Sequence, residues 1–170
     1  HTRNIPEEKI VECDFSFEVS LRMMTHQLLR EGVMLQTPEY TKVVTVTKAL
    51  LDKINPLVKI TDRHCLTSDE ARLSVDCDFL GHKVDALYEF DTASLVVYVI
   101  YRGRKMPFDR SLLRDARAGV LLLDIETLAH VFYRLPMAEG GKIGTARAQL
   151  QGWLQTSLEA KYWYYHPRED

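Results

Sequence analysis

Three consecutive strand-like segments fill residues 71–101, and they restrict the chain to folds with a sheet at the centre. ARLSVDCDF alternates Leu73, Val75, Cys77 and Phe79 with Arg72, Ser74, Asp76 and Asp78, the period-two pattern of a half-buried strand. KVDALYEF follows across Leu80-Gly81-His82, a short polar link with a glycine that predicts a hairpin. Beyond a turn at Asp91–Ala93, SLVVYVIY is almost continuously apolar, as expected for a strand covered on both faces.

Helices flank this core in the sequence pattern. Phe17, Leu21, Met24 and Leu28 recur at helical spacing, with Ser16 placed to cap the start and Gly32 to end it. Residues 33–60 read as a short strand at VVTVT and then a helix at TKALLDKI, and TDRHCLTSDE reads as a polar loop. After the strands, Pro107 and Asp109 open a short helix, DRSLLRDARA, that Gly119 ends. Its Leu112, Leu113 and Ala116 face inward, while Arg110, Arg114 and Arg117 line the outside. VLLLDI reads as a buried strand, and Asp124 caps a helix over ETLAHVFYRL. MAEGGKIG is a glycine-rich loop without the Gly-Lys-Ser/Thr of a phosphate-binding loop. From Thr145 a last helix carries Leu150, Trp153, Leu154 and Leu158, and the aromatic tail Tyr162–Tyr165 is expected to pack.

Composition excludes several classes. With 170 residues, 46% hydrophobic and 27% charged, the chain is neither disordered nor membrane-spanning, and no break marks a second domain. Residues 1–170 are therefore expected to form one domain; because the first residue is His1, this domain reads as trimmed or as cut from a longer chain. Cys13, Cys65 and Cys77 form no C-x-x-C pair, which favours a reducing, cytoplasmic location. The formal charge is only −2, yet Arg102, Arg104, Lys105, Arg110, Arg114 and Arg117 face only Asp109 and Asp115 over that stretch, a local charge of +4.

The order helix, three strands, helix, strand resembles the αβββαβ core of the restriction-endonuclease-like, PD-(D/E)xK nucleases, and within them the CoiA-like competence-protein nuclease family. The resemblance runs from Phe17 to about Thr127, with the stretch between Val33 and Ala71 matching poorly. FEVSLRMMTH is similar to the family's first helix, whose glutamate falls on Glu18; Arg22 stands at its histidine and His26 at its lysine. KVDALYEF is similar to the strand bearing the metal-binding aspartate, which falls on Asp85. SLVVYVIYRG resembles the next strand, but Tyr98 stands where a second metal-binding glutamate is expected and Ile100 where the lysine or glutamine is expected. DRSLLRDARAGVLLLDIETL resembles the basic helix and strand that follow.

The resemblance implies an α/β fold with a mixed central sheet and a DNA-processing role. In a nuclease of this kind Asp85 and Glu18 would hold Mg²⁺, a metal-bound water would attack phosphorus, and Arg102 would stand in for the missing lysine. Arg104, Lys105, Arg110, Arg114 and Arg117 would contact the nucleic-acid backbone, making binding salt-dependent. Tyr98 leaves the active site partly eroded. The alternative is a non-catalytic nucleic-acid or protein binding module on the same fold, and a third reading makes the aromatic tail the cover of a protein partner or second protomer. Plain structural roles compete residue by residue: Glu18 as a helix charge, Tyr98 as core, the arginine stripe as a solvated face. Asp85 is the strongest candidate, because a carboxylate interrupting an apolar strand needs a partner to offset its desolvation.

Overall fold

No glycine or proline interrupts the chain between Glu7 and Gly32, and in the computed structural model, which describes residues 7–44, 57–134 and 143–170, that stretch forms one long helix. In chain order the elements are α1 (Glu7–Arg30), β1 (Leu35–Thr37), β2 (Tyr40–Val43), β3 (Leu57–Thr61), β4 (His64–Leu66), β5 (Arg72–Phe79), β6 (His82–Glu89) and β7 (Ser94–Ile100). They continue with α2 (Arg110–Ala116), β8 (Ala118–Asp124), α3 (Ile125–Arg134), α4 (Ile143–Thr156), β9 (Lys161–Tyr165) and a 3₁₀ turn at Pro167–Glu169.

Helix α1 therefore starts earlier than the expected cap, and Ser16 lies inside it. Its other end is as read: Gly32 adopts φ +88°, and the Gly32 and Val33 N–H groups donate back to Leu29 and Leu28 carbonyls. Helix α2 closes two residues before the expected Gly119, with Arg117 itself left-handed at φ 51°. Asp109 caps its start by accepting from the Leu112 N–H. Asp124 likewise accepts from the Thr127 N–H at 3.1 Å at the head of α3.

The strands β5-β6-β7-β8-β9 form one mixed sheet. Leu80 and Gly81, both with positive φ, make the two-residue turn that joins β5 to β6 in antiparallel register, Phe79 opposite His82. β6 and β7 are antiparallel, whereas β7 and β8 are parallel with Ser94 opposite Ala118 and Ile100 opposite Asp124. That parallel pair requires a crossover, and residues 101–117 with α2 supply it. The protein is thus a mixed α/β protein. Two antiparallel pairs, β1–β4 and β2–β3, lie outside the main sheet. The segment read as a loop over residues 61–70 contains β4: three residues paired to a strand far away in sequence carry no local periodicity to detect. The expected helix at TKALLDKI and most of MAEGGKIG lie outside the described residues.

Apolar packing covers both faces of the sheet. Leu21, Leu28 and Leu29 of α1, Leu128 of α3 and Leu150 and Leu154 of α4 pack with Ala86, Tyr88, Val97, Val99, Leu121 and Leu123. On the other face Leu113 of α2 and Phe108 pack with Val84, Leu87, Val96, Tyr98 and Val120. Among the described residues, no helix is long and apolar enough to cross a membrane.

The aromatic tail becomes β9, antiparallel to β8, and most of it is spent on the chain itself. Tyr165 is buried, Trp163 donates to the Pro38 carbonyl, and Tyr164 donates to the Phe108 carbonyl. At its head, buried Lys161 places its ammonium against the carbonyl oxygens of Trp153, Leu154 and Ser157 at the end of α4 and of Gln36 in β1, all at 2.6–3.0 Å. Burial pushes this ammonium down to about 7, and the carbonyl dipoles oppose that shift by favouring the charged form. Replacing Lys161→Met strands these acceptors, and urea unfolding is expected to show a loss of about 2–4 kcal/mol.

Candidate functional site

The regular face alternation of β6 breaks at Asp85. Val84 and Leu87 pack on the α2 side, whereas Ala86 and Tyr88 pack on the α1 side. Opposite this break, Asp76 of β5 has φ 50°, and the β5–β6 register passes from Val75↔Ala86 to Cys77↔Val84 without a 76–85 pair. The β6–β7 ladder likewise begins only at Ala86↔Val97. The side chain of Asp85 uses the freed space to turn toward α1.

It meets donors from three directions. One carboxylate oxygen, Oδ1, accepts from Arg22 Nε and His26 Nε2, each at 2.7 Å. The other, Oδ2, accepts from the Val99 N–H and from Arg104 Nη1, each at 2.6 Å. Arg104 also donates to the Val99 carbonyl at 2.6 Å and reaches the Lys83 carbonyl at 3.4 Å. Its guanidinium therefore fills the split between β6 and β7 and takes bonds that the ladder leaves unmade. Asp85 is fully buried. Burial raises its carboxyl, but the His26 hydrogen bond, the Arg104 charge and the Val99 N–H outweigh that and hold it at about 2.

Glu18, Arg22 and His26 lie at successive four-residue intervals, so α1 presents them on one face. Glu18 is buried at 3% exposure, and its Oε2 faces the Arg102 N–H at 3.4 Å. Arg22 further reaches the Tyr101 hydroxyl at 3.3 Å. The two acids singled out from the sequence thus come to the same end of β7, Glu18 beside residue 102 and Asp85 beside residue 99. Because an ionised carboxylate only accepts, His26 Nε2 carries the proton toward Asp85; Nδ1 is buried with no hydrogen-bond partner among the described residues.

Tyr98, at the position expected for a second metal carboxylate, lies under Arg104, whose guanidinium carbon is 3.9 Å from the ring centre. Its hydroxyl donates to the Lys105 carbonyl at 3.1 Å. Burial pushes the phenol above its ordinary value, so at neutral pH it offers no anionic oxygen. Ile100 packs into the α2-side core.

These residues do not fit a divalent cation. Mg²⁺ binds oxygens at about 2.1 Å and needs open lone pairs; both Asp85 oxygens already take two donors apiece, among them two guanidinium groups. Among the described residues no group of three His, Cys, Asp or Glu is arranged to hold a metal. Of the expected Mg²⁺ pair, Asp85 is closed by Arg22 and Arg104, and Glu18 lies by the Arg102 backbone. Arg102, expected to stand in for the lysine, is exposed and meets Glu18 through its backbone N–H; the cation of this segment that reaches Asp85 is Arg104. The sequence pattern assigns Arg104 to the nucleic-acid backbone and sets Arg22 and His26 only at the family's histidine and lysine positions. The available signal was their spacing: two basic side chains one and two turns beyond Glu18, on the helix face that meets the acid-bearing strand.

The proposed backbone-binding residues divide. Arg104 is committed to Asp85. Arg110 lies over Tyr164 and 3.7 Å from Glu169. Lys105 is exposed beside the site, and Arg114 and Arg117 line a separate cleft at the beginning of β7.

The depressed Asp85 carboxyl makes a stability prediction. Its contribution, about 2 kcal/mol for a shift from 3.8 to about 2, is fully present above pH 4 and fades as pH falls through about 2. Asp85→Asn is expected to remove that acid-limb dependence in pH-resolved urea unfolding, and Asp85→Ala to cost about 3 kcal/mol by leaving two partly buried guanidiniums uncompensated. Comparison of the chain with protein-family models, curated proteins and solved structures finds no significant match.

Proposed function

We propose that this chain is a non-catalytic nucleic-acid-binding domain built on a restriction-endonuclease-like core, in which the ancestral metal carboxylate has become an internal anchor. The observation that carries this reading is the closure of Asp85 by Arg22, His26, Arg104 and the Val99 N–H. The order α1, β5, β6, β7, α2, β8, with the acid on the middle strand of the meander and a parallel crossover after it, supports the architectural part. The CoiA-like resemblance of residues 17–127 supports it as well.

Binding is supported by the course of the basic residues. Between Arg102 and Arg117 they follow the crossover from the end of β7 to the start of β8, which lie at opposite ends of a parallel pair. This distributes positive charge along one side of the sheet, the arrangement that tracks a phosphate backbone. A guanidinium in the place of a metal activates no water, because it carries no coordinated hydroxide.

Fluorescence anisotropy with labelled DNA tests the reading. Binding is expected to be equal in Mg²⁺ and in EDTA, without cleavage, and to weaken steeply with salt. Arg102→Ala and Lys105→Ala should each weaken it uniformly across sequences and reduce the salt slope by about one. Mg²⁺- or Mn²⁺-dependent cleavage abolished by Asp85→Ala would instead restore the nuclease reading, and absence of any salt-sensitive retention would favour a protein-binding role.

A further inference from the structure

At the other end of β7 from Asp85, a cleft of about 780 Å³ opens between the main sheet and the β1–β4 and β2–β3 pairs. Its volume falls in the range of small-ligand sites. Leu66, Leu95 and the bare backbone of Gly119 contribute an apolar part, Trp163 an aromatic part, and Arg114, Arg117 and Arg168 a cationic part. Gly119 fits closely here: an added Cβ would lie 3.3 Å from Pro167 and from the Tyr165 carbonyl and 3.5 Å from the Trp163 ring, so these neighbours would have to give slightly. The glycine lets β8 run close beneath the aromatic strand.

The charges of this cleft are not balanced internally. The neighbouring acids are engaged elsewhere: Glu169 Oε2 takes the Tyr40 hydroxyl and the Lys42 ammonium, Glu169 Oε1 takes the His166 N–H, and Asp170 takes the Tyr165 hydroxyl. His64 is paired with Glu70. Among the described residues, the guanidinium groups of Arg114, Arg117 and Arg168 make no ion pair. The planar fork of an arginine matches pairs of phosphate or carboxylate oxygens, and an indole beside an apolar floor selects a flat ring. Ser94 and Thr92 add hydroxyl groups on the same wall.

We propose that this cleft binds a nucleoside phosphate, the base against Trp163, Leu95 and Gly119 and the phosphate between Arg114, Arg117 and Arg168. The shared chemistry has two sources, a free nucleotide or the phosphorylated end of a nucleic-acid strand. The site shares no residue with the Asp85 cluster and stands or falls independently of it.

Calorimetry on the full chain, using AMP, inorganic phosphate, and a short oligothymidylate with and without a 5′-phosphate, tests the proposal. AMP is expected to bind at least about tenfold tighter than inorganic phosphate, or the oligothymidylate to gain about tenfold from its 5′-phosphate. The better of the two identifies the source. Arg114→Ala/Arg168→Ala, both at exposed side chains, should weaken that binding by about tenfold or more with an unchanged urea midpoint. Three results would overturn the proposal: no binding of either probe, equal binding of inorganic phosphate, or full binding by the double variant. DNA retention through Arg102 and Lys105 would persist in any of these cases, so the two readings fail separately.

Discussion

An ionised carboxylate with no exposure to solvent is tolerable only when its lone pairs are filled, and in this protein the donors that fill Asp85 belong to different elements. Arg22 and His26 fix the roll of α1 about its own axis against the sheet. The Val99 N–H fixes β7, and Arg104 draws the segment leaving β7 back into the gap beside it. An apolar contact between α1 and the sheet would permit sliding by a fraction of a turn; charge-assisted bonds of 2.6–2.7 Å do not. The irregular backbone at Asp76 and the open rung at residue 85 are the local distortions that make room for this arrangement.

The central sheet was legible in the residues because its strands carry their burial in their own pattern. Cys77 and Phe79 alternate with exposed Asp76 and Asp78, and SLVVYVIY is apolar because β7 is covered on both sides. The helix caps at Gly32, Asp109 and Asp124 were legible for the same reason, each acting on its own neighbours. What stayed hidden depends on distant partners. β4 exists because Leu35–Thr37 lies alongside His64–Leu66, and β9 exists because Leu121–Leu123 accepts Lys161–Trp163. At the site, the importance of Asp85 followed from a carboxylate in an apolar strand. That its partners are arginines and a histidine follows only from where α1 and the turn after β7 bring Arg22, His26 and Arg104.

Tyr98 shows how one position reshapes a site. A carboxylate there would sit beside Asp85 and demand a cation of high charge density. The phenol, its hydroxyl engaged by the Lys105 carbonyl, presents only a ring face, and a guanidinium is the cation that lies on a ring. The cation paired with Asp85 at this corner of the sheet is thus a permanently protonated one. The basic residues of the crossover then extend that charge away from the corner, while Arg114 and Arg117 deliver it to the cleft at the far end.

The closing strand of the sheet comes after everything it covers. β8 is apolar along nearly its whole length, and until Lys161–Tyr165 is in place its outer hydrogen-bonding groups have no partner. A nascent chain emerging from the ribosome therefore passes through a stage in which a sticky, unpaired edge waits for its last neighbour, and any product halted before Lys161 keeps that edge bare for self-association. Lys161, clamped to the end of α4, acts at that moment as the latch that seats the final strand.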